Sequence, residues 1–125
     1  MKRSILVIDD SPLVRDLIKQ ILSREDAEVV GASNGAEALA FLKKNKPDLI
    51  FLDIMMPGLD GLSLLREIRK MGHLKGVPIV IVTAIAEKDI IGELKALGVE
   101  EVIFKPFSPV QFRTLVNKYI GKQAE

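Results

Sequence analysis

The 125-residue chain has no cysteine and no tryptophan, and only one histidine and one tyrosine. Without cysteine there can be no disulfide framework, no thiolate nucleophile and no Cys-ligated zinc or iron–sulfur centre. The single His73 cannot build a histidine cluster; it lies in M-G-H-L-K-G, a glycine-bracketed stretch that reads as an exposed loop without a functional role. An excess of one charge is also missing. Eighteen Lys and Arg against 17 Asp and Glu leave a net charge of +1, which gives no footprint for nucleic acid or an anionic membrane. Long apolar runs are absent too. Met1, Lys2 and Arg3 resemble the start of a signal peptide, but the run at 5–8 stops at two aspartates, short of a usable apolar segment. The longest weakly polar run, 77–86, contains Pro78 and Thr83 and is about half of a membrane span. We therefore expect a cytoplasmic chain with no cleaved leader.

What is present is ordinary globular composition, 48% hydrophobic and 28% charged. That length and composition lead us to expect one domain over 1–125, burying roughly two thirds of the surface its unfolded chain exposes. Short β-branched runs recur at 4–8, 28–32, 48–52, 78–82 and 101–104. They are continuous rather than alternating, which predicts strands covered on both faces. Helical patterns lie between them. In the first, Leu13, Val14, Leu17, Ile18, Ile21 and Leu22 form one stripe, with Ser11 as N-cap and Pro12 as first helical residue. Residues 36–44, 62–70 and 88–97 follow, and a fifth helix starts at Ser108 and Pro109 and is placed to end at Gly121. Five alternating strand–helix units predict an α/β fold with a doubly wound parallel sheet and right-handed crossovers.

In such sheets ligands bind beyond the carboxyl ends of the strands. The first polar residues after the strands are Asp9 and Asp10, then Asp53, Thr83 and Lys105. Each alone is bland, as a turn aspartate, a packed threonine or a surface lysine; together at one edge they are complementary in kind. Converging carboxylates raise one another's proton affinity unless a cation intervenes, and hard oxygen donors of this kind suit Mg2+. A divalent cation beside an ammonium and a hydroxyl is equipment for phosphoryl transfer, and a carboxylate such as Asp53 can be the nucleophile, forming an aspartyl phosphate.

Across nearly its whole length the chain resembles the receiver domain of two-component response regulators, single-domain and chemotaxis-regulator-like. The resemblance is carried by the D-D pair at 9–10, D-I-M-M-P-G-L-D-G at 53–61, T-A at 83–84 and K-P-F at 105–107. It implies a flavodoxin-like sheet of order 2-1-3-4-5, carried over from the family rather than derived from the residues. It implies Asp53 as phosphoacceptor from a histidine kinase or phosphotransfer protein. Asp10 is implied as direct Mg2+ ligand, with Asp9 acting through water and Asp53 and the carbonyl of Met55 completing the set. Lys105 is similar to the cation that pairs with Asp53, and Thr83, followed by Ala84, to the switch hydroxyl; the Lys105–Pro106 bond is expected to be cis. Phosphorylation would repack the surface of the last two helices and the last strand to control binding of a downstream protein. The domain would be non-enzymatic apart from its own phosphorylation and dephosphorylation, monomeric or dimerising on phosphorylation, with no direct contact to nucleic acid or membrane. No output domain is expected after Lys122.

Two departures stand out. Where many relatives carry an aromatic switch residue this chain has Val102, too small to gate, so backbone shifts should carry the signal; Phe104 should share its strand face without taking that role. Met55 and Ile85, two beyond Asp53 and Thr83, are apolar, which suggests hindered water and a long-lived acyl phosphate. The competing readings are a flavodoxin-type cofactor binder, an aspartate-nucleophile phosphatase and an unphosphorylated pseudo-receiver used for docking. D-D-S-P-L offers no glycine-rich phosphate loop for the first, and the acids are not two apart after the first strand, as the second requires. The five intact residues argue against the third. Neither the cognate kinase nor the target is legible in the chain.

Overall fold

The computed structural model describes residues 3–23, 27–56, 59–84 and 88–120. In chain order it runs β1 (Arg3–Ile8), α1 (Pro12–Ile21), β2 (Ala27–Ala32), α2 (Gly35–Lys44), β3 (Leu49–Leu52), β4 (Met55–Met56), β5 (Leu59–Asp60), α3 (Gly61–Lys70), a 3-10 turn (Gly72–Leu74), β6 (Ile79–Thr83), α4 (Lys88–Ala96), β7 (Glu101–Phe104) and α5 (Pro109–Tyr119). Five strands form one parallel sheet in the order β2-β1-β3-β6-β7, which is 2-1-3-4-5 counted within the sheet. The antiparallel pair β4–β5 and the 3-10 turn are additions to the expected pattern. Two-residue pairings are too short to leave any periodicity in the sequence.

The helix starts are set by local chemistry. Ser11 Oγ accepts from the Val14 amide at 3.2 Å. Asn34 Oδ1 accepts from Glu37 at 2.8 Å. At α5 the cap is reciprocal: Ser108 Oγ accepts from the Gln111 amide, and Gln111 Oε1 from the Ser108 amide. The Gly121 stop falls outside the described residues.

Strand alternation divides the core into two. Leu6, Ile8, Ile50, Leu52, Ile79 and Ile81 face α2, α3 and α4, while Ile5, Val7, Leu49, Phe51, Val80 and Val82 face α1 and α5. Because both faces are covered, β3 and β6 are buried at every residue, whereas the edge strands β2 and β7 are only partly so. Phe112 of α5 is wholly buried between Phe51 and Phe107, with ring centroids at 4.9 and 4.6 Å.

α4 is the helix held least by its core face, with Leu94 its only fully buried residue. Its far end is fastened instead by Arg69 of α3, which donates to the carbonyls of Leu97, Val77 and Gly98 at 3.1, 3.3 and 2.8 Å. Gly98 takes the left-handed φ of +81° that lets the chain leave the helix there. His73, expected to be idle, is exposed, but its Nε2 lies 2.6 Å from the Leu42 carbonyl and ties the 3-10 turn to α2. Arg69→Met should leave three carbonyls without their donor and lower stability by about 1–2 kcal/mol. Urea unfolding would measure the loss, and amide exchange should accelerate in α4 ahead of α2.

Candidate functional site

Register brings the acids together. Ile8 of β1 pairs with Leu52 of β3, so the residues that follow, Asp9 and Asp53, leave the sheet side by side. The Asp53 amide donates to the Ile8 carbonyl at 2.9 Å, and the Asp9 amide to that of Ala32 at 3.1 Å. From the other side of the sheet, the Lys105 amide donates to the Thr83 carbonyl at 2.9 Å, which places the lysine just past β7. Its Nζ then lies 3.0 Å from Asp9 Oδ2 and 3.0 Å from Asp53 Oδ2. Two carboxylates with only 2% and 4% of their residue surface exposed thus share one ammonium.

Their remaining oxygens are also engaged. Asp9 Oδ1 accepts from the Ser11 amide and Asp53 Oδ1 from the Met55 amide, both at 2.9 Å. Asp10 is exposed, and its carboxylate has no hydrogen bond or ion pair among the described residues. Burial pushes the Asp53 carboxyl above the ordinary aspartate range; the Met55 amide and Lys105 pull it back without cancelling that. For Lys105, burial opposes the charged form, but the hydrogen bonds to Asp53 and Asp9 outweigh it and keep the ammonium above the ordinary lysine value.

One oxygen each from Asp9, Asp10 and Asp53 lies within 4.8 Å of the others. Three hard anionic donors at that spacing, one of them unpartnered, fit a small divalent cation such as Mg2+. The five residues singled out in the sequence are therefore brought to one edge. Thr83 ends β6 at 1% exposure, directly beside the Lys105 backbone. Ala84, next to it, is exposed, and the Lys105–Pro106 bond is cis. Met55 is half exposed at the rim. Ile85 lies outside the described residues. Val102 and Phe104 do share a face: with Ile91 and Lys95 they line a groove of about 410 Å³ between α4 and β7.

Two contributors escaped the sequence reading. Arg15 of α1 donates from Nη1 to the Asp9 carbonyl at 2.6 Å. Gly61 starts α3 against the backbone that follows Asp53: a Cβ there would stand 2.3 Å from Ile54 Cα and 2.5 Å from its carbonyl oxygen, so no other residue fits without moving the Asp53 loop. A signal for each exists, a glycine inside a strand at Gly31 and a glycine at a helix start, but neither names its partner.

The raised Asp53 carboxyl has a consequence for stability. Where the folded-state pKa exceeds the unfolded one, the native chain holds more protons, so stability falls as pH rises through that window. In metal-free buffer, Asp53→Asn should melt a few degrees above the wild type at neutral pH. The advantage should vanish below about pH 4, where an aspartate is neutral as well; calorimetry across pH would measure both.

A family model described as the response regulator receiver domain matches residues 5–117. Sporulation initiation phosphotransferase F of Bacillus subtilis is 34% identical over 120 residues, with 96% of this chain and 95% of that protein covered. The chemotaxis protein CheY of Thermotoga maritima is 32% identical over 119 residues, covering 94% and 98%. Among solved structures, a chemotaxis protein of Vibrio cholerae superposes with a TM-score of 0.88 at 28% identity, covering 95% of this chain and 99% of that one.

Proposed function

Because the chain belongs to the response regulator receiver domain family of two-component systems, we propose that it accepts a phosphoryl group on Asp53 from a histidine kinase or phosphotransfer protein and switches a binding surface in response. The observation that carries this reading is the Lys105 ammonium reaching both Asp9 and Asp53 at 3.0 Å beside an open Asp10. A carboxylate oxygen of Asp53 attacks phosphorus, the phosphorus–nitrogen bond of the donor breaks, and the imidazole leaves with its electron pair. Lys105 stays with the negative charge as it spreads onto the phosphoryl oxygens, and its two carboxylate contacts hold it there beforehand, so little reorganisation is needed. Asp10 and Asp53 would hold Mg2+ directly, with the Met55 carbonyl, and Asp9 through water. When bound, the ion neutralises charge on the phosphoryl oxygens.

Thr83, buried at the end of β6, would be the hydroxyl that follows the phosphoryl group. Leu94 is the one fully buried residue of α4, and its other ties are the partly buried Ile90, the Arg66–Glu93 ion pair and the Arg69 clamp, so the groove lined by Val102 and Phe104 is the surface best able to change. A downstream protein would read that change. Among the described residues no helix is long and apolar enough to cross a membrane.

Incubation with acetyl phosphate and Mg2+ should add the mass of one phosphoryl group to the wild type and none to Asp53→Asn. Equal labelling of the variant would remove Asp53 from the role, and a wild type that never labels would favour a docking module. Met55, half exposed and with its amide bonded to Asp53 Oδ1, should shield the acyl phosphate from water. Met55→Asn should therefore shorten its lifetime severalfold in a decay assay, and an unchanged lifetime would remove the shielding role.

A further inference from the structure

Glycine inside a strand weakens it and marks places where something else approaches the backbone. Gly31 of β2, paired with Val7 of β1, is such a place. A Cβ added there would stand 3.1 Å from Cδ and 3.4 Å from Nε of Arg15, and 3.8 Å from Cε of Lys19 one helical turn on. The space is taken by the stem of Arg15, which crosses residue 31 and ends with Nη1 donating to the Asp9 carbonyl at 2.6 Å. That carbonyl belongs to the peptide joining Asp9 to Asp10.

With this bond every polar group of Asp9 has a partner: its amide has Ala32, its carbonyl Arg15, one carboxylate oxygen Ser11 and the other Lys105. Asp10 has no such ties among the described residues. Its carboxylate is aimed only by the backbone it grows from, and Arg15 holds the preceding peptide plane. The geometry points to Arg15, threaded through the gap at Gly31, as a positioning residue that fixes the Asp9–Asp10 peptide so that the open Asp10 carboxylate is presented to a divalent cation. The inference rests on the cation reading of the proposed function. It adds two residues that touch neither the ion nor the phosphoryl group.

Gly31→Val tests it without altering any charge. Valine suits an edge strand better than glycine, so urea stability should hold or rise. The displaced Arg15 should nevertheless weaken Mg2+ binding, measured calorimetrically on the full chain, by roughly tenfold, the size usual for groups that orient a metal ligand. The Asp9 carbonyl carbon resonance should also shift in the metal-free variant, a readout that needs no ion. In an Arg15→Ala background, where no stem remains to collide, the same Gly31→Val change should leave Mg2+ affinity untouched. A Gly31→Val affinity within twofold of wild type, or an equal loss in both backgrounds, overturns the inference and leaves the cation reading standing. A wild type that does not bind Mg2+ overturns the cation reading, and this inference with it.

Discussion

Everything at the working edge depends on one ammonium held between two buried carboxylates. Asp9 and Asp53 are nearly excluded from solvent, so their charges repel through a poorly screening interior, and each is desolvated as well. Lys105 at 3.0 Å from both offsets that repulsion, and the main-chain amides of Ser11 and Met55 satisfy the oxygens it does not reach. The result is an electrostatically tense cluster, and the proposed cation and phosphoryl group would relieve or redistribute its charge.

That tension is sustained because the surrounding backbone cannot yield. Asp9, Asp53 and Lys105 each hang from a main-chain hydrogen bond to the neighbouring strand, to Ala32, Ile8 and Thr83 respectively. Behind them lie strands buried on both faces by two separate side-chain clusters. Gly61 lets α3 press directly on Ile54, so the loop carrying Asp53 is supported from below as well. Rigidity is not uniform, however. α1 contributes two fully buried residues, α3 four and α5 three, whereas α4 contributes one and is fastened at its far end by Arg69. The near end of α4 follows Thr83 in sequence, so the least anchored of the helices is among those that continue from the site.

The sheet itself was legible because runs such as I-V-I-V at 79–82 and L-I-F-L at 49–52 are short, apolar at every position and rich in strand-favouring residues, as strands covered on both faces are. The helix starts at Ser11 and Ser108 were legible because a hydroxyl before a proline at a helix start has a local cause. Two helix starts moved by a residue: α2 begins at Gly35, where the local cap from Asn34 was overlooked, and α3 at Gly61, whose place depends on its contact with Ile54. Arg69 and Arg15 look like ordinary surface cations in the sequence; three carbonyls from two distant segments and one from the D-D pair make them structural. The tie from His73 to Leu42 was invisible for the same reason.

Residue order alone determined that five strands would alternate with five helices and that three acids, a hydroxyl and a lysine would emerge at the same edge of a parallel sheet. Both follow from periodicity and from the place of each polar residue relative to its strand, which are properties of neighbours in the chain. Tertiary structure decided which acids are tied and which is open, that Asp53 holds its proton more tightly than an ordinary aspartate, and which arginines support the site. Those depend on distances of a few ångströms between residues as far apart as Asp9 and Lys105, and on the solvent that packing removes from between them.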